Sequence, residues 1–468
     1  MNSASAMRPS NLLPGGVAAV GALLGLGLLV FVRPPTAEEH RGTALQLWYT
    51  TGADESKPQA PVWFNESQDE IYIERVGLPF MQIEQKFLTS VVGNVAPDLF
   101  EYFGSVAQWS ARGALLPLDE FVERDGFDRS RVFDSLWGEM TWEGKTFALP
   151  TGVGCDAFYW NKDHFREAGL DPEKPPATWD KLEEFAHKLV VRNEEGEMTR
   201  AGYIPGYWSP MSVSGYPIFL FWPAQLGAKF VSNDGRKVNL TSEACVQAME
   251  WEAGLFRRLG GDDLVRMRNS FGYADQQGFI SGQVSMIAQK NSFVQELRKF
   301  APELDYGVSL FPVPEGGHPS TTFGPVWIGI PACAKHPEQA WEYIKFYTTD
   351  DIQTRSAAYA VDHDQVAFFP ANKTAAQSPK QMSVPHMPVF IESMKWGTPT
   401  TVVPLAHTVF YREYALAWDN ATLGKKTPRQ ALLDAETEIQ RALEGQLDYA
   451  EFYRKHLEQE TAMAEDRG

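Results

Sequence analysis

Cysteine is nearly missing: 468 residues hold three, Cys155, Cys245 and Cys333. Their spacing matches no zinc or redox motif and an odd number cannot all pair, so no disulfide framework is expected and each is read as a buried small hydrophobe. Also missing are G-x-x-x-x-G-K, H-E-x-x-H and G-x-S-x-G, and the nine histidines show no ligand spacing. Phosphate-loop, zinc-hydrolase and nucleophile-elbow chemistry therefore find no support, and neither metal nor cofactor is expected. One formal G-x-G-x-x-A match, Gly152 to Ala157, runs into the strand-like Phe158-Tyr159-Trp160 where a helix would have to open, so a dinucleotide would meet no helix N-terminus. Positive charge is scarce too: 42 basic residues face 60 acidic ones, a net charge of -18. Phosphate backbones are repelled, which argues against nucleic acid as a partner and against an anionic membrane surface.

What is present is apolar and aromatic. With 44% hydrophobic and 13% aromatic residues, the chain can bury a large core and is expected to divide into two lobes. Residues 12–32 carry no charge and are long enough to cross a bilayer, for which ~20 residues suffice. The exit, Arg33-Pro34-Pro35-Thr36-Ala37, offers no A-x-A cleavage site, and neither a lipoprotein cysteine nor a twin arginine is found. An uncleaved N-terminal membrane anchor is the expectation, a cleaved signal the alternative, with 34–41 as a polar linker.

Beyond it, 45–49 alternates as a first strand, a helix-like stretch runs to about Asn65, 71–76 is β-branched, and Phe80, Ile83, Phe87, Leu88 and Val91 recur at helical spacing. With Leu99-Phe100 this makes a β-α-β-α-β series, hence a parallel sheet flanked by helices that binds ligands outside its carboxyl edge. Strand-like 146–149 leads through Gly152 and Gly154 into a new strand, 157–160; glycines there suit a crossing between lobes. Thr178 caps a helix running to Val190, 193–200 is a polar loop, and 203–222 is an aromatic tract broken by prolines. Asp234-Gly235 forms a hairpin turn, 242–259 is helical, 284–288 is a short buried strand, 324–333 returns to the first lobe, and 337–347 and 427–443 are helices.

Five blocks occur in fixed order: Ala96-Pro97-Asp98-Leu99-Phe100, Gly144-Lys145-Thr146-Phe147-Ala148-Leu149-Pro150, Tyr159-Trp160-Asn161-Lys162-Asp163, Ala177-Thr178-Trp179-Asp180-Lys181-Leu182 and Phe279-Ile280-Ser281-Gly282-Gln283-Val284-Ser285-Met286. In order and spacing they resemble the family-1 extracellular solute-binding proteins of ABC importers, the maltose- and carbohydrate-binding group, from about Leu45 to Leu443. The resemblance implies an α/β, two-lobed periplasmic-binding-protein fold of the maltose-binding type. Lobe 1 is expected at 43–151 with 324–362, lobe 2 at 152–323 with 363–468, after the 1–42 anchor and linker. It further implies a monomeric, non-enzymatic protein outside the cytoplasm that closes on a mono- or oligosaccharide and delivers it to permease subunits. A sugar-active hydrolase, a binder of a non-sugar solute and a sensory receptor stay open as alternatives.

A sugar pocket needs flat apolar faces for the pyranose C–H surface and polar groups for its hydroxyls. By resemblance, Tyr49, Thr50 and Thr51 at the end of the first strand and Glu101, Tyr102 and Phe103 at the end of the third stand where family members contact ligand. Tyr207 and Trp208 lie in a glycine- and proline-flanked loop context. Asn291 and Phe293 follow the 284–288 strand, Trp327 lies in the glycine-rich return, with the core as its equal alternative, and Trp396 precedes Pro399 and Pro404 in the last connection. Asp98, Asn161 and Gly144-Lys145 are read as scaffold: a turn, a helix cap and a hairpin.

Overall fold

The computed structural model describes residues 42–51, 59–205, 220–271 and 276–465. The stretch 12–32, its linker, Tyr207 and Trp208 lie outside the described residues.

The described residues form thirteen strands: β1 Thr43–Thr51, β2 Ile71–Pro79, β3 Leu99–Phe103, β4 Thr141–Trp142, β5 Lys145–Thr146, β6 Ala148–Asn161, β7 Val191–Arg192, β8 Met198–Tyr203, β9 Val284–Lys290, β10 Tyr306–Ser309, β11 Thr321–Gly329, β12 Phe369–Pro370 and β13 Gly397–Pro399. All but the β4-β5 hairpin join one sheet in the order β2-β1-β3-β11-β6-β9-β8-β7, with β10 and β12 also on β6 and β13 on β11. One end is the parallel β2-β1-β3 unit, crossed over by helices Ala60–Ser67 and Phe80–Val92. The other end contains the parallel pair β8-β9. Between them run the long antiparallel strands β6 and β11, shared by both halves.

Local sequence explains most of these elements. Leu45, Leu47 and Tyr49 alternate inward along β1, as a half-buried strand requires. Thr178 Oγ1 accepts the Lys181 N–H at 3.2 Å, capping helix Trp179–Leu189, and Asn161 Oδ1 accepts the His164 N–H at 3.0 Å, capping helix Lys162–Glu167; each cap contributes about 1 kcal/mol. Asp98 ties the start of β3 to β1, accepting the Gln46 N–H at 3.0 Å.

Four expectations need correcting. Gly152 and Gly154 do not separate two strands: β6 runs unbroken for 14 residues, all buried. The polar stretch 193–200 is not all loop, because β8 begins at Met198; the Arg200 guanidinium donates to the Leu189 carbonyl at 3.2 Å and to Glu167 at 2.6 Å, which pays for a charged residue in a strand. The last helix is Pro428–Glu465, well past Leu443, since no proline follows Pro428 to stop it. Cys155 and Cys245 are buried, but Cys333 is half-buried.

Apolar clusters fill both halves. Leu45, Leu47, Leu99, Leu149, Ile328 and Trp341 form one on the β1 side, and Phe87, Phe100, Tyr102, Trp109 and Trp327 another across the sheet from it. In the other half Phe158, Trp160, Trp179, Tyr203 and Met286 pack with Phe410, Tyr414, Leu432 and Ile439 of the C-terminal helices. A fourth, containing Val153, Cys155, Phe323, Phe369 and Phe390, underlies the middle of the sheet.

Packing of the second half is tight at Gly202, where a Cβ would stand 1.9 Å from the Ala186 carbonyl oxygen. Backbone cannot swing aside as a side chain would. Gly202→Ala is expected to cost at least about 1–3 kcal/mol, read as a lowered denaturant midpoint; an unchanged midpoint would contradict this helix-on-strand contact.

Candidate functional site

The register of β6 against β11 defines two faces. Phe323 pairs with Cys155, Gly324 with Gly154, Pro325 with Val153 and Val326 with Gly152, after which Trp327 pairs with Pro150 and leaves Thr151 as an extra residue. Such a bulge re-aims the side chains beyond it. On one face the core is continuous: Ala148 and Trp327 belong to one cluster, and Val153, Cys155 and Phe323 to the next. On the other face it is interrupted. Leu149 and Ile328 end the first cluster and Phe158 begins the next, and between them stand only Gly152, Gly154, Asp156, Thr322, Gly324 and Val326. Gly324 and Val326 are half-exposed while Phe323, Pro325 and Trp327 beside them are buried. This gap in the apolar core has the crossing pair of strands as its floor, where Gly152, Gly154, Asp156 and Thr322 are buried and Gly324 and Val326 are half-exposed.

Several groups border this floor. Phe103, half-exposed, pairs with Val326. Asp156 pairs with Thr322's neighbourhood on β11 and directly with Lys290 on β9. Its Oδ2 accepts the Thr322 hydroxyl, whereas Oδ1 is buried without a hydrogen-bond partner among the described residues. Burial raises the Asp156 pKa and the nearby Lys290 charge opposes that rise. Thr400 and Thr401 stand over Gly324 and Gly104, their hydroxyls 3.5 and 3.3 Å from where a Cβ would lie.

One residue here was not anticipated. Phe368 is 48% exposed and precedes β12, whose Phe369 and Pro370 pair with Val153 and Gly152. Strand alternation therefore puts Phe369 into the core and Phe368 on the gap side. Its ring lies against Gly154, where a Cβ would come within 3.3 Å of Cδ1. This close approach, and not a special backbone angle, is what the two glycines supply: neither has a positive φ.

The sequence candidates fall into three groups. Thr50 and Thr51, at the carboxyl end of β1, and Trp396 are half-buried; Thr50 Oγ1 is buried without a partner among the described residues, and the Lys395 ammonium lies 5.9 Å from the Trp396 ring centroid. Tyr49 and Glu101 are on the gap side but buried, 5% and 8% exposed. Glu101 Oε1 accepts from the Thr151 hydroxyl at 3.4 Å and from Tyr347 at 3.3 Å. Tyr102, Phe293, Trp327 and Asn291 are drawn into the interior instead. Tyr102 stacks on Phe100 at 5.5 Å, Phe293 packs edge-on against Tyr159 at 5.4 Å, and Trp327 Nε1 donates to the Gly104 carbonyl at 3.0 Å. Asn291, 2% exposed, accepts the Cys155 N–H at 3.0 Å and donates to the Ala367 carbonyl at 3.1 Å. It is a clamp between β6 and the segment carrying Phe368.

The carboxyls on this face do not form a hydrolytic pair. Glu101 is level with Ile328 and Asp156 with Thr322, six residues or about 20 Å along β11, against the ~5–10 Å that glycoside hydrolysis uses. Among the described residues no group of three or more His, Cys, Asp or Glu is placed to hold a metal, and no helix is long and apolar enough to cross a membrane.

A single sheet carrying two helix-flanked halves, with an interrupted core where they meet, defines a two-lobed α/β binding protein. The chain belongs to the bacterial extracellular solute-binding protein family, whose profile matches residues 59–354. Among relatives, a putative binding protein of Brucella abortus (strain 2308) is 25% identical over 430 residues, 89% of this chain and 96% of that protein. The sn-glycerol-3-phosphate-binding periplasmic protein UgpB of Pectobacterium atrosepticum is 26% identical over 366 residues, 73% of this chain and 77% of its own. Of solved structures, CpMnBP1 with mannotriose bound matches at a TM-score of 0.69 and 23% identity, covering 85% of this chain and 100% of that one. The sugar-binding protein MalE of Xanthomonas citri matches at 0.71 and 17%, covering 86% and 98%. These likenesses establish the two-lobed, maltose-binding-protein-like fold.

Burial holds the Glu101 carboxyl up at about 7, with its hydrogen bonds to Tyr347 and Thr151 pulling the other way. The folded protein thus keeps a proton that the unfolded chain releases near 4.5. The resulting stability is present in full below the unfolded value and is lost as pH rises through 7, a change on the order of 3 kcal/mol. Glu101→Gln should flatten the stability profile between about pH 5 and 8; an unaltered slope would show that this carboxyl is ionised in the folded state.

Proposed function

We propose that this chain is the extracytoplasmic solute-binding component of an ABC importer and that its solute is a carbohydrate held between the two lobes. The observation that carries this reading is the gap floor: the 48% exposed ring of Phe368 lies against Gly154, with half-buried Lys290 and the buried Asp156, whose Oδ1 has no hydrogen-bond partner among the described residues, next along the same strands. Apolar faces for C–H surface next to polar groups for hydroxyls are what a pyranose requires. Similar solved structures hold mannotriose, α-D-tagatose and maltotetraose.

In this reading lobe 1 comprises 43–151 with 324–362 and lobe 2 comprises 152–323 with the C-terminal helices. Thr50, Thr51, Glu101 and Trp396 approach the solute from lobe 1 and the connections. Solute bound to one lobe gains contacts with the other only when the cleft shuts, so it shifts the population toward the closed form that the permease recognises. The solute leaves unaltered. Residues 12–32 hold the monomeric protein to the outer face of the cytoplasmic membrane.

A thermal-shift screen of the full chain in a detergent without sugar groups tests this. Mannotriose, maltotetraose or another saccharide at about a hundred times its dissociation constant should stabilise the protein by about 2.7 kcal/mol, seen as a raised Tm. A response to sn-glycerol 3-phosphate with none to any sugar would overturn the carbohydrate assignment.

A further inference from the structure

We infer that solute capture is proton-linked through Glu101: closure of the lobes takes up a proton from solvent at this carboxyl, so solute binds more tightly in mildly acidic than in mildly alkaline surroundings. The inference rests on the reading that solute is held between the lobes, and not on the solute being a sugar.

Glu101 stands where an apolar core gives way to the gap. On the same face of β3, Leu99 before it is fully buried and Phe103 after it is half-exposed. The 8% of Glu101 that stays exposed therefore looks toward the gap, the side that the other lobe covers on closing. Two hydroxyls donate to its Oε1. Tyr347, at 3.3 Å, ends helix Pro337–Tyr347 of lobe 1, whereas Thr151, at 3.4 Å, is the bulged residue of β6, the strand that passes from one half to the other. The carboxyl is thus tied to the crossing ribbon itself.

No cation offsets the burial. The groups that face Glu101 are the Tyr49 phenol from β1, the Tyr343 and Tyr347 phenols from helix Pro337–Tyr347, and Thr151 from β6, while β11 contributes the apolar Ile328 level with it. Arg75 of β2 acts on Tyr49 and Tyr343, but no cation is among the influences on Glu101. Asp156 and its neighbour Lys290 are about 20 Å further along the floor, beyond the ~8 Å over which charges act in physiological salt. Burial already holds the Glu101 carboxyl at about 7, so near neutral pH it is divided between its two forms. Covering the gap removes more water, which disfavours the charged form further. The closed protein therefore holds the proton more firmly than the open one. By reciprocity, the factor that closure adds to proton affinity is the factor that protonation adds to solute affinity.

Isothermal titration of the full chain between about pH 6 and 8.5, in buffers of different ionisation enthalpy, measures both affinity and proton uptake, with mannotriose, maltotetraose and sn-glycerol 3-phosphate as probes. A tenfold gain in proton affinity on closing makes binding about fivefold tighter at pH 6 than at pH 8, with roughly half a proton taken up per solute near pH 7.5. Glu101→Gln should bind with an affinity that is flat across this range and take up no proton. Tyr347→Phe removes a donor to the ionised carboxyl, so its affinity profile should move to higher pH; this variant carries the test if Glu101→Gln does not fold. Saccharide affinity that is equal at pH 6 and 8, or that rises with pH, overturns the linkage and leaves the carbohydrate reading standing. A Glu101→Gln profile with the wild-type slope overturns it too. If sn-glycerol 3-phosphate alone binds, the carbohydrate reading falls, and the linkage is read from the difference between wild type and Glu101→Gln with that probe, because the phosphate's own titration is common to both.

Discussion

Everything in this molecule hangs on the antiparallel pairing of β6 with β11. Both strands leave one half of the sheet and enter the other while hydrogen-bonded to each other from Ala148–Gly329 to Cys155–Phe323. Backbone groups buried in a sheet must be paired, so the junction cannot be pulled apart without losing several bonds at once. Any gap between the halves has to open on a face of this ribbon. On one face Val153, Cys155 and Phe323 are sealed under Phe369 and Phe390. On the other, two glycines from β6 and one from β11 remove the side chains that would otherwise fill the space. The bulge at Thr151 lets one ribbon serve two cores that lie on different sides of the gap.

Much of this was legible in the sequence because it depends on local patterns. The spacing of Phe80, Ile83, Phe87 and Val91 predicts a helix and the structure forms it over Phe80–Val92; Pro337–Tyr347 likewise begins at its proline. The caps at Thr178 and Asn161 needed only three-residue reach. Site residues were harder. Tyr102 and Trp327 stand beside the right strands, but which face each side chain takes depends on register with β3, β6 and β11, partners remote in sequence. Asn291 is turned inward to accept the N–H of Cys155, a requirement invisible without the fold. Phe368 gave almost no signal: its strand has two residues, too short for periodicity, and only the pairing with Gly152 and Val153 shows that adjacent phenylalanines point to opposite faces.

Electrostatics add a second constraint. Glu139, held up at about 8 by burial alone, and Glu252, raised well above the usual carboxylate range, join Glu101 and Asp156 as interior acids. Desolvation is the leading cause in each case, and in the folded state each gains by keeping its proton. All four push the same way, toward greater stability at mildly acidic pH, in a chain whose net charge of -18 already penalises compaction as carboxyls ionise.

The central claim is that the two halves close over the face of the β6-β11 ribbon that carries the glycines. It is tested most directly by pulsed electron–electron distance measurement on the full chain. Spin labels at Glu66→Cys, on the exposed side of helix Ala60–Ser67, and at Lys174→Cys in the other half, in a Cys333→Ser background, report the separation of the lobes. The account predicts a distance distribution that shortens and narrows when saturating saccharide is added. Full occupancy by saccharide with an unchanged distribution would contradict it.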